Sequence, residues 1–300
     1  LSVAADTLTP ASISSYGGKS SNFSVLRAAI PEASPHPAVA FSFDLFDRLM
    51  ARPAPDASGK TLRQAIDDRL AGHAWPIADP AALAADLAAV RDLVRRADFA
   101  PADVAAIHNA LADFDPTRNI RFRSSTNVED SAQFTGAGLY DSYSGCLADE
   151  LDADATGPSR CDAAQPDEQR PTVAAILRVM ASFWNDNAYL ARLRYRVPES
   201  RVAMGVLAHP SYPDREELAN GVAVTTDSGF SVGHRLTTQL GAVSVSNPEE
   251  GAAAPEIVDA DVYDFGTFFY EQQGSSLVPL GAHVMDFEDD YRTLVGLLGR

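Results

Sequence analysis

The sequence predicts an α+β chain of two lobes with a helical segment inserted in the first. Three observations carry this. Residues 61–114 and 171–197 place apolar side chains at the three-to-four spacing of amphipathic helices. Segments 120–125, 202–208 and 221–226 are short apolar or alternating runs bounded by turn residues, the pattern of strands. From Phe230 to Leu280 the periodicity is mixed and strand-like, at Gln239–Val245 and Val262–Tyr270, broken by Asn247-Pro248 and Gly251.

Bulk properties bound what such a chain can do. With 300 residues it can bury a large core, as one bilobed unit or two domains. Its 46% hydrophobic and 22% charged residues are an ordinary globular composition. A formal net charge of −17 excludes a broad basic face for nucleic acid or an anionic membrane surface. No apolar run approaches the roughly 18 residues that span a bilayer. So acidic a chain must concentrate its few cations if it binds a polyanion, which draws attention to Lys and Arg beside glycines.

Taken in order, residues 1–16 are polar and mixed. Gly17-Gly18-Lys19-Ser20-Ser21-Asn22 then opens a helix marked by Phe23, Val25, Leu26, Ala29 and Ile30. A Gly-rich turn at a helix N-terminus suits an anion, because open N–H groups and the positive dipole end point the same way. A plain turn with a solvated Lys19 is the alternative. A P-loop is excluded, since Ile13 stands where it needs glycine. The proline-rich stretch 31–58 carries an apolar run, Val39–Phe46, that enters a short helix over Asp44–Met50.

Asp79 is a natural N-cap for a helix with Pro80 at its first position and Leu83, Leu87, Val90, Leu93 and Val94 as its buried stripe. A further helix from Pro101 buries Val104, Ile107, Leu111 and Phe114, with His108 at its boundary.

The segment Arg121–Ser144, RFRSSTNVEDSAQFTGAGLYDSYS, is the most informative. An alternating strand presents Arg123, a forked and permanently charged donor. The turn Gly136-Ala137-Gly138 lets backbone N–H groups approach oxygen anions. The dinucleotide fingerprint fails, because Asp141 occupies its last glycine position. A strand with exposed arginines followed by a β-turn is the plain alternative.

Asp152-x-Asp154-x-Thr156-Gly157 matches the first half of a calcium loop, but Ala163 stands where a bidentate glutamate is needed, so an acidic surface loop is expected. The two cysteines, Cys146 and Cys161, flank it. As a disulfide they would close about fifteen residues, contribute roughly 3 kcal/mol and point to an oxidising, exported setting. As two thiols they would carry no such meaning. Pro171–Val197 reads as one long helix with Val173, Ile176, Leu177, Met180, Phe183 and Trp184 inward, and Asp286–Leu298 as a final amphipathic helix.

Arg123, Ser124, Ser125, Glu129, Asp130, Gly136, Gly138, Asp141 and Ser142 follow one another in the order of the ATP-binding signature of the phosphoenolpyruvate synthase and pyruvate phosphate dikinase family, also met in glucan water dikinases. The chain resembles that family most at 17–30, 121–144 and 202–226. The resemblance implies an ATP-grasp-like, two-lobed nucleotide-binding domain: a first lobe over 1–201 with the helical insertion at about 61–114, and a second over 202–300 that continues past Arg300. It implies ATP and Mg2+ as ligands, phosphate contacts from Lys19 and Arg123 as catalytic residues, and a cover from Ser124, Gly136, Ala137, Gly138, Asp141 and Ser142. Leu207 and His209 would hold the adenine edge, where family members usually carry Gln in place of His209.

The implied chemistry is phosphorylation of a histidine on another domain. The family's metal-binding carboxylates and Gln-x-Arg element, and its phosphohistidine domain, are expected beyond Arg300. A binding module of another class is the alternative: a degenerate, exported, non-catalytic relative that keeps the fold. A hydrolase finds no support, since His-Glu-x-x-His does not occur and the two cysteines show no pairing with a histidine in a family context.

Overall fold

A computed structural model describes residues 1–30, 37–128, 130–131, 134–135, 138–152, 156–162, 168–243, 245 and 253–299. The chain forms two compact units, Leu1–Ser211 and Tyr212–Arg300.

The first unit is built on a five-stranded antiparallel sheet. Its strands are β1 (Ser2–Ala4), β2 (Val39–Phe41), β3 (Ile120–Thr126), β6 (Ser142–Gly145) and β7 (Met204–Pro210), in the order β1-β2-β7-β3-β6. A small hairpin, β4 (Asp130–Ser131) with β5 (Phe134–Thr135), lies between β3 and β6 in sequence. Side chains alternate between the faces of a strand, so β3 sends Ile120 and Phe122 into the main core and Arg121 and Arg123 to the opposite face. Helices α3 (Phe43–Met50), α4 (Leu62–Leu70), α5 (Pro80–Arg95), α6 (Pro101–Ala110) and α8 (Thr172–Ala181) contribute to that core.

Their ends follow the sequence chemistry. Thr61 and Gln64 form a reciprocal capping box on α4, and Asp79 accepts the Ala82 N–H at 3.0 Å to cap α5. On the other face α1 (Ile13–Tyr16) and α2 (Gly18–Ala29) pack over β3 and β7, with Leu8, Phe23, Ala40 and Leu207 buried together beside them. Only Phe23 of the expected α2 stripe is buried there; Val25 and Leu26 are more than half exposed.

Three expectations change. The run 171–197 is broken: α8 passes into a 3-10 turn at Ser182–Trp184, Asn185 turns extended, and α9 (Asp186–Arg194) begins anew. The break lets adjacent Phe183 and Trp184 both turn inward, where each ring lies within 6.0 Å of Phe46. The strand expected at 202–208 is hydrogen-bonded between β2 and β3, so the first compact unit reaches Ser211. The third concerns the second unit.

After Cys146, α7 (Leu147–Leu151) leads into the acidic loop, and Cys146 is bonded to Cys161. Buried Asp149 accepts N–H groups from Arg160 at 2.7 Å and Arg170 at 2.9 Å, which folds the loop back on itself.

The second unit is a four-stranded antiparallel meander of β8 (Ala219–Asp227), β9 (Val232–Leu240), β10 (Glu256–Tyr263) and β11 (Gly266–Gln273), in the order β11-β10-β9-β8. The strands expected at Gln239–Val245 and Val262–Tyr270 are shifted, because a turn at Tyr263–Gly266 divides the second of these runs into a hairpin. Leu236, Val258 and Ala260 bury one face against a π-turn at Phe287–Tyr291 and α10 (Arg292–Leu298), which carry Tyr291 and Val295. Asp286 caps this segment by accepting the N–H groups of Glu288 and Asp289. Fully buried Glu256 accepts hydrogen bonds from the Tyr291 hydroxyl and the Val284 N–H. No helix among the described residues is long and apolar enough to cross a membrane.

Candidate functional site

Residues directly opposite one another in a sheet share a face, and the register of β3 groups the polar side chains of the first unit into rows. Arg121 lies between Ser144 of β6 and His209 of β7. Arg123 lies between Ser142 and Leu207, and Ser125 faces Gly205. The two arginine rows are two residues apart, about 7 Å at strand rise. Arg121 donates from Nη1 to Ser144 Oγ at 3.3 Å.

Helix α2 is pinned at the end of the same face. Gly17 adopts φ 78°, and a Cβ there would stand 2.1 Å from the Ser125 carbonyl oxygen, so only glycine fits the turn. A Cβ on Gly205 would come within 2.8 Å of the carbonyls of Phe41 and Tyr16. These two glycines let β3, β7 and the α1–α2 turn close on one another. Ser125 Oγ then accepts the Ser20 N–H at 2.9 Å. Lys19, half-buried, is in the first turn of α2. The hydroxyls of Ser20 and Ser21 are buried without a hydrogen-bond partner beside it.

His209 is held neutral. Burial pushes its imidazole down to about 4, and the nearby Arg123 and Arg121 guanidiniums add to this. Its Nδ1 lies 2.8 Å from the Pro210 carbonyl. Nδ1 therefore carries the proton, which leaves Nε2 as an acceptor.

The structure thus brings together Arg123, Ser142, Leu207 and His209, with Lys19 on the helix docked to that face. Ser124 points to the other face, opposite Val206, with its hydroxyl buried and unpartnered. Asp141 accepts from the Tyr143 hydroxyl at 3.4 Å, on the side away from Ser142. Gly138 takes φ 79° in the turn that leads to β6. Gly136 and Ala137 lie outside the described residues. Arg121 and Ser144 join the site unannounced by the glycine and arginine motifs, though the period-two runs Arg-Phe-Arg and Ser-Tyr-Ser carry their signal, and Ser125 of the ATP-binding signature takes part by capping α2.

Among the described residues the calcium-loop candidates are not gathered into a site. Asp152 accepts from Arg160 Nε at 2.7 Å, Thr156 is exposed, and Asp154 lies outside the described residues. No group of three or more His, Cys, Asp or Glu among the described residues is placed to hold a metal.

The second unit has its own depression, of about 480 Å³, on the sheet face away from α10. Val224, Arg235, Asp259 and Tyr270 form one row across the sheet, and Thr226, Gly233, Asp261 and Phe268 the next. Arg235 grips Asp259 with two hydrogen bonds of 2.8 and 2.9 Å, which holds that carboxyl below its usual range. Gly233 keeps the floor open, since a Cβ there would press to 3.1 Å from Thr226 Oγ1.

No curated protein matches the chain. The family model described as pyruvate phosphate dikinase, AMP/ATP-binding domain, matches residues 13–267, which include Lys19, both arginine rows, strands β8 to β10 and the first two residues of β11. Two antiparallel sheets with packed helices are consistent with the ATP-grasp-like architecture of such domains. The chain belongs to the family of the pyruvate phosphate dikinase AMP/ATP-binding domain.

Proposed function

We propose that this protein binds Mg2+-ATP and supplies a phosphoryl group to a histidine on a separate domain. The observation that carries the reading is the pair of arginine rows: in a chain of net charge −17, two guanidiniums, two hydroxyls and a helix N-terminus with Lys19 share one sheet face. Arg123 and Lys19 bind phosphate oxygens, and Ser142 and the turn at Gly138 donate to them. The acceptor Nε2 of His209 suits an exocyclic amino group of the base, whereas the Leu207 side chain is buried against Phe23 and Leu8 and serves the strand's packing. Phosphoryl transfer requires just such fixed cations, since the developing charge lies on oxygens.

Asp259, Asp261, Thr226 and Gln272 line the depression of the second unit and form an all-oxygen donor set. Arg235 already holds both oxygens of Asp259, so this set does not by itself fit Mg2+, and the ion is taken to arrive with the phosphates of ATP. Arg235 orients Asp259, and Asp261 is the carboxylate beside it on the same face.

The test is thermal shift and calorimetry with ATP, with and without Mg2+. The reading expects saturable binding by the parent, weakening when EDTA removes the ion, and loss in Arg123→Ala. A folded Arg123→Ala protein that binds as tightly as the parent would rule out the role given to that residue. A second reading, a non-catalytic module that keeps the fold, is favoured by the Cys146–Cys161 disulfide, since such bonds persist in oxidising compartments where ATP is scarce. Failure of the parent to respond to Mg2+-ATP would select it.

A further inference from the structure

We propose that Asn185 and Arg192 are positioning residues for the arginine-lined site: they fix the chain at Leu139–Tyr140 and thereby set the register that places Ser142 beside Arg123. The inference rests on the ATP-binding reading above.

Asn185 occupies the N-cap of α9 with extended backbone angles, φ −60° and ψ 144°, as a capping residue should. Asparagine is among the best N-caps because its side-chain oxygen accepts from the first helical turn. Here that bond is not made. The amide instead donates from Nδ2 to the carbonyl of Leu139 at 3.2 Å, 46 residues earlier in the chain. A helix cap has been given up for a grip on the segment that feeds β6.

Arg192 supplies a second grip. It is fully buried, which is exceptional for arginine. Its Nη1 donates to the Phe183 carbonyl at 2.9 Å and reaches the Tyr140 hydroxyl at 3.5 Å, and Nε and Nη2 hold the Glu199 carboxylate at 2.6 and 3.2 Å. The Phe183 ring lies 4.0 Å from its guanidinium and stacks on Tyr140 at 6.2 Å. A buried ion pair is a weak source of net stability. This one makes better sense as a device that holds Tyr140 in one place.

What it holds is a strand poorly able to hold itself. β6 has four residues, lies at the sheet edge and, among the described residues, pairs with β3 alone. A one-residue slip would turn Ser142 and Ser144 off the arginine face and bring Tyr143 onto it. Tyr140 stands two residues before Ser142, so a displacement there passes along about 7 Å of chain with little attenuation.

Asn185→Asp separates positioning from bulk stability. Aspartate caps a helix as well as asparagine and is nearly isosteric, but it loses the Nδ2 donor and sets a carboxylate against the Leu139 carbonyl. The expected result is a melting temperature that falls by less than in Asn185→Ala, because the aspartate can cap α9, with ATP affinity weaker by about tenfold and faster amide exchange at 138–142. Tyr140→Phe, which keeps the ring on Phe183, should weaken ATP binding in the same direction. Unchanged ATP affinity in folded Asn185→Asp overturns the inference and leaves the ATP reading intact. So does a loss of affinity matched by a fall in melting temperature as large as that of Asn185→Ala, since that pattern marks a merely structural residue. A parent protein that binds no ATP sinks the reading and the inference together, and is recognised because the variants are not needed to see it.

Discussion

Ser125 caps helix α2 from a neighbouring strand, its Oγ accepting the Ser20 N–H at 2.9 Å across 105 residues of sequence. The bond ties the start of the Lys19 helix to the strand that carries Arg123, so two elements of the site are fixed to each other through one hydroxyl. Ser125→Ala should cost about 1–2 kcal/mol, because a cap is lost and a buried N–H is left without an acceptor. Urea denaturation would read this as a lower midpoint at unchanged slope. Gly17→Ala should cost more, since its Cβ would stand 2.1 Å from a carbonyl oxygen in a left-handed backbone. A Gly17→Ala protein as stable as the parent would refute the close approach.

The arginine rows predict an order of effects on ligand binding. A charge-assisted contact to phosphate contributes about 1.5–3 kcal/mol, so Arg123→Ala should weaken ATP binding roughly 10- to 100-fold. Arg121→Ala should weaken it less, because its row is centred on Ser144 and His209, one step away from Ser142. Both losses should shrink at high salt, where the parent itself binds less tightly. Calorimetric titration of ATP into each variant at two ionic strengths checks the order.

His209 makes stability depend on pH in a definite sense. Its folded value of about 4 lies below the ordinary 6.5, so between those values the unfolded chain binds the proton more readily. Its contribution is therefore fully present above pH 6.5 and is lost as pH falls toward 4. The span corresponds to at most about 3 kcal/mol. Chemical denaturation at intervals from pH 7 to 4.5 should show parent stability falling in this window, and His209→Gln should flatten that part of the curve. An equal fall in both proteins would assign the loss to carboxylates instead.

What could be read from sequence follows the range of the interactions involved. The helices of 80–110 were legible because Asp79, Pro80 and a regular apolar stripe are local signals. β3 was legible because its alternation is local too. The break at Asn185 was not, since Phe183 and Trp184 continue an apolar pattern and only their packing on Phe46 forces the turn. Nor were the places of Arg121 and Ser144 in the site, which depend on register with β6 and β7, set for Arg121 by pairing across more than eighty residues in the case of β7. The signature position of Ser125 gave no hint that it caps α2. The carboxylates of the second unit, Asp259 and Asp261, alternate with Val258, Ala260 and Val262. That pattern announces a half-buried strand well before it announces a site.

The disulfide gives a prediction about stability and access together. Cys146 directly follows β6, and its bond to Cys161 closes a loop with a sequence separation of 15. Chain entropy then assigns it about 3 kcal/mol, or roughly 6–12 °C of melting temperature in a unit of this size. The paired substitutions Cys146→Ser and Cys161→Ser should approach that loss without unfolding the protein, because Asp149 still accepts from the Arg160 and Arg170 N–H groups and keeps the loop folded back. Adding Asp149→Ala to the pair should then remove more stability than Asp149→Ala does in the parent, since each constraint covers for the other. Both sulfurs are buried, so thiol reductants should reduce the native protein slowly and the denatured protein fast. Rapid reduction under native conditions, read by alkylation and mass, would show that the loop opens far more readily than its hydrogen bonds imply.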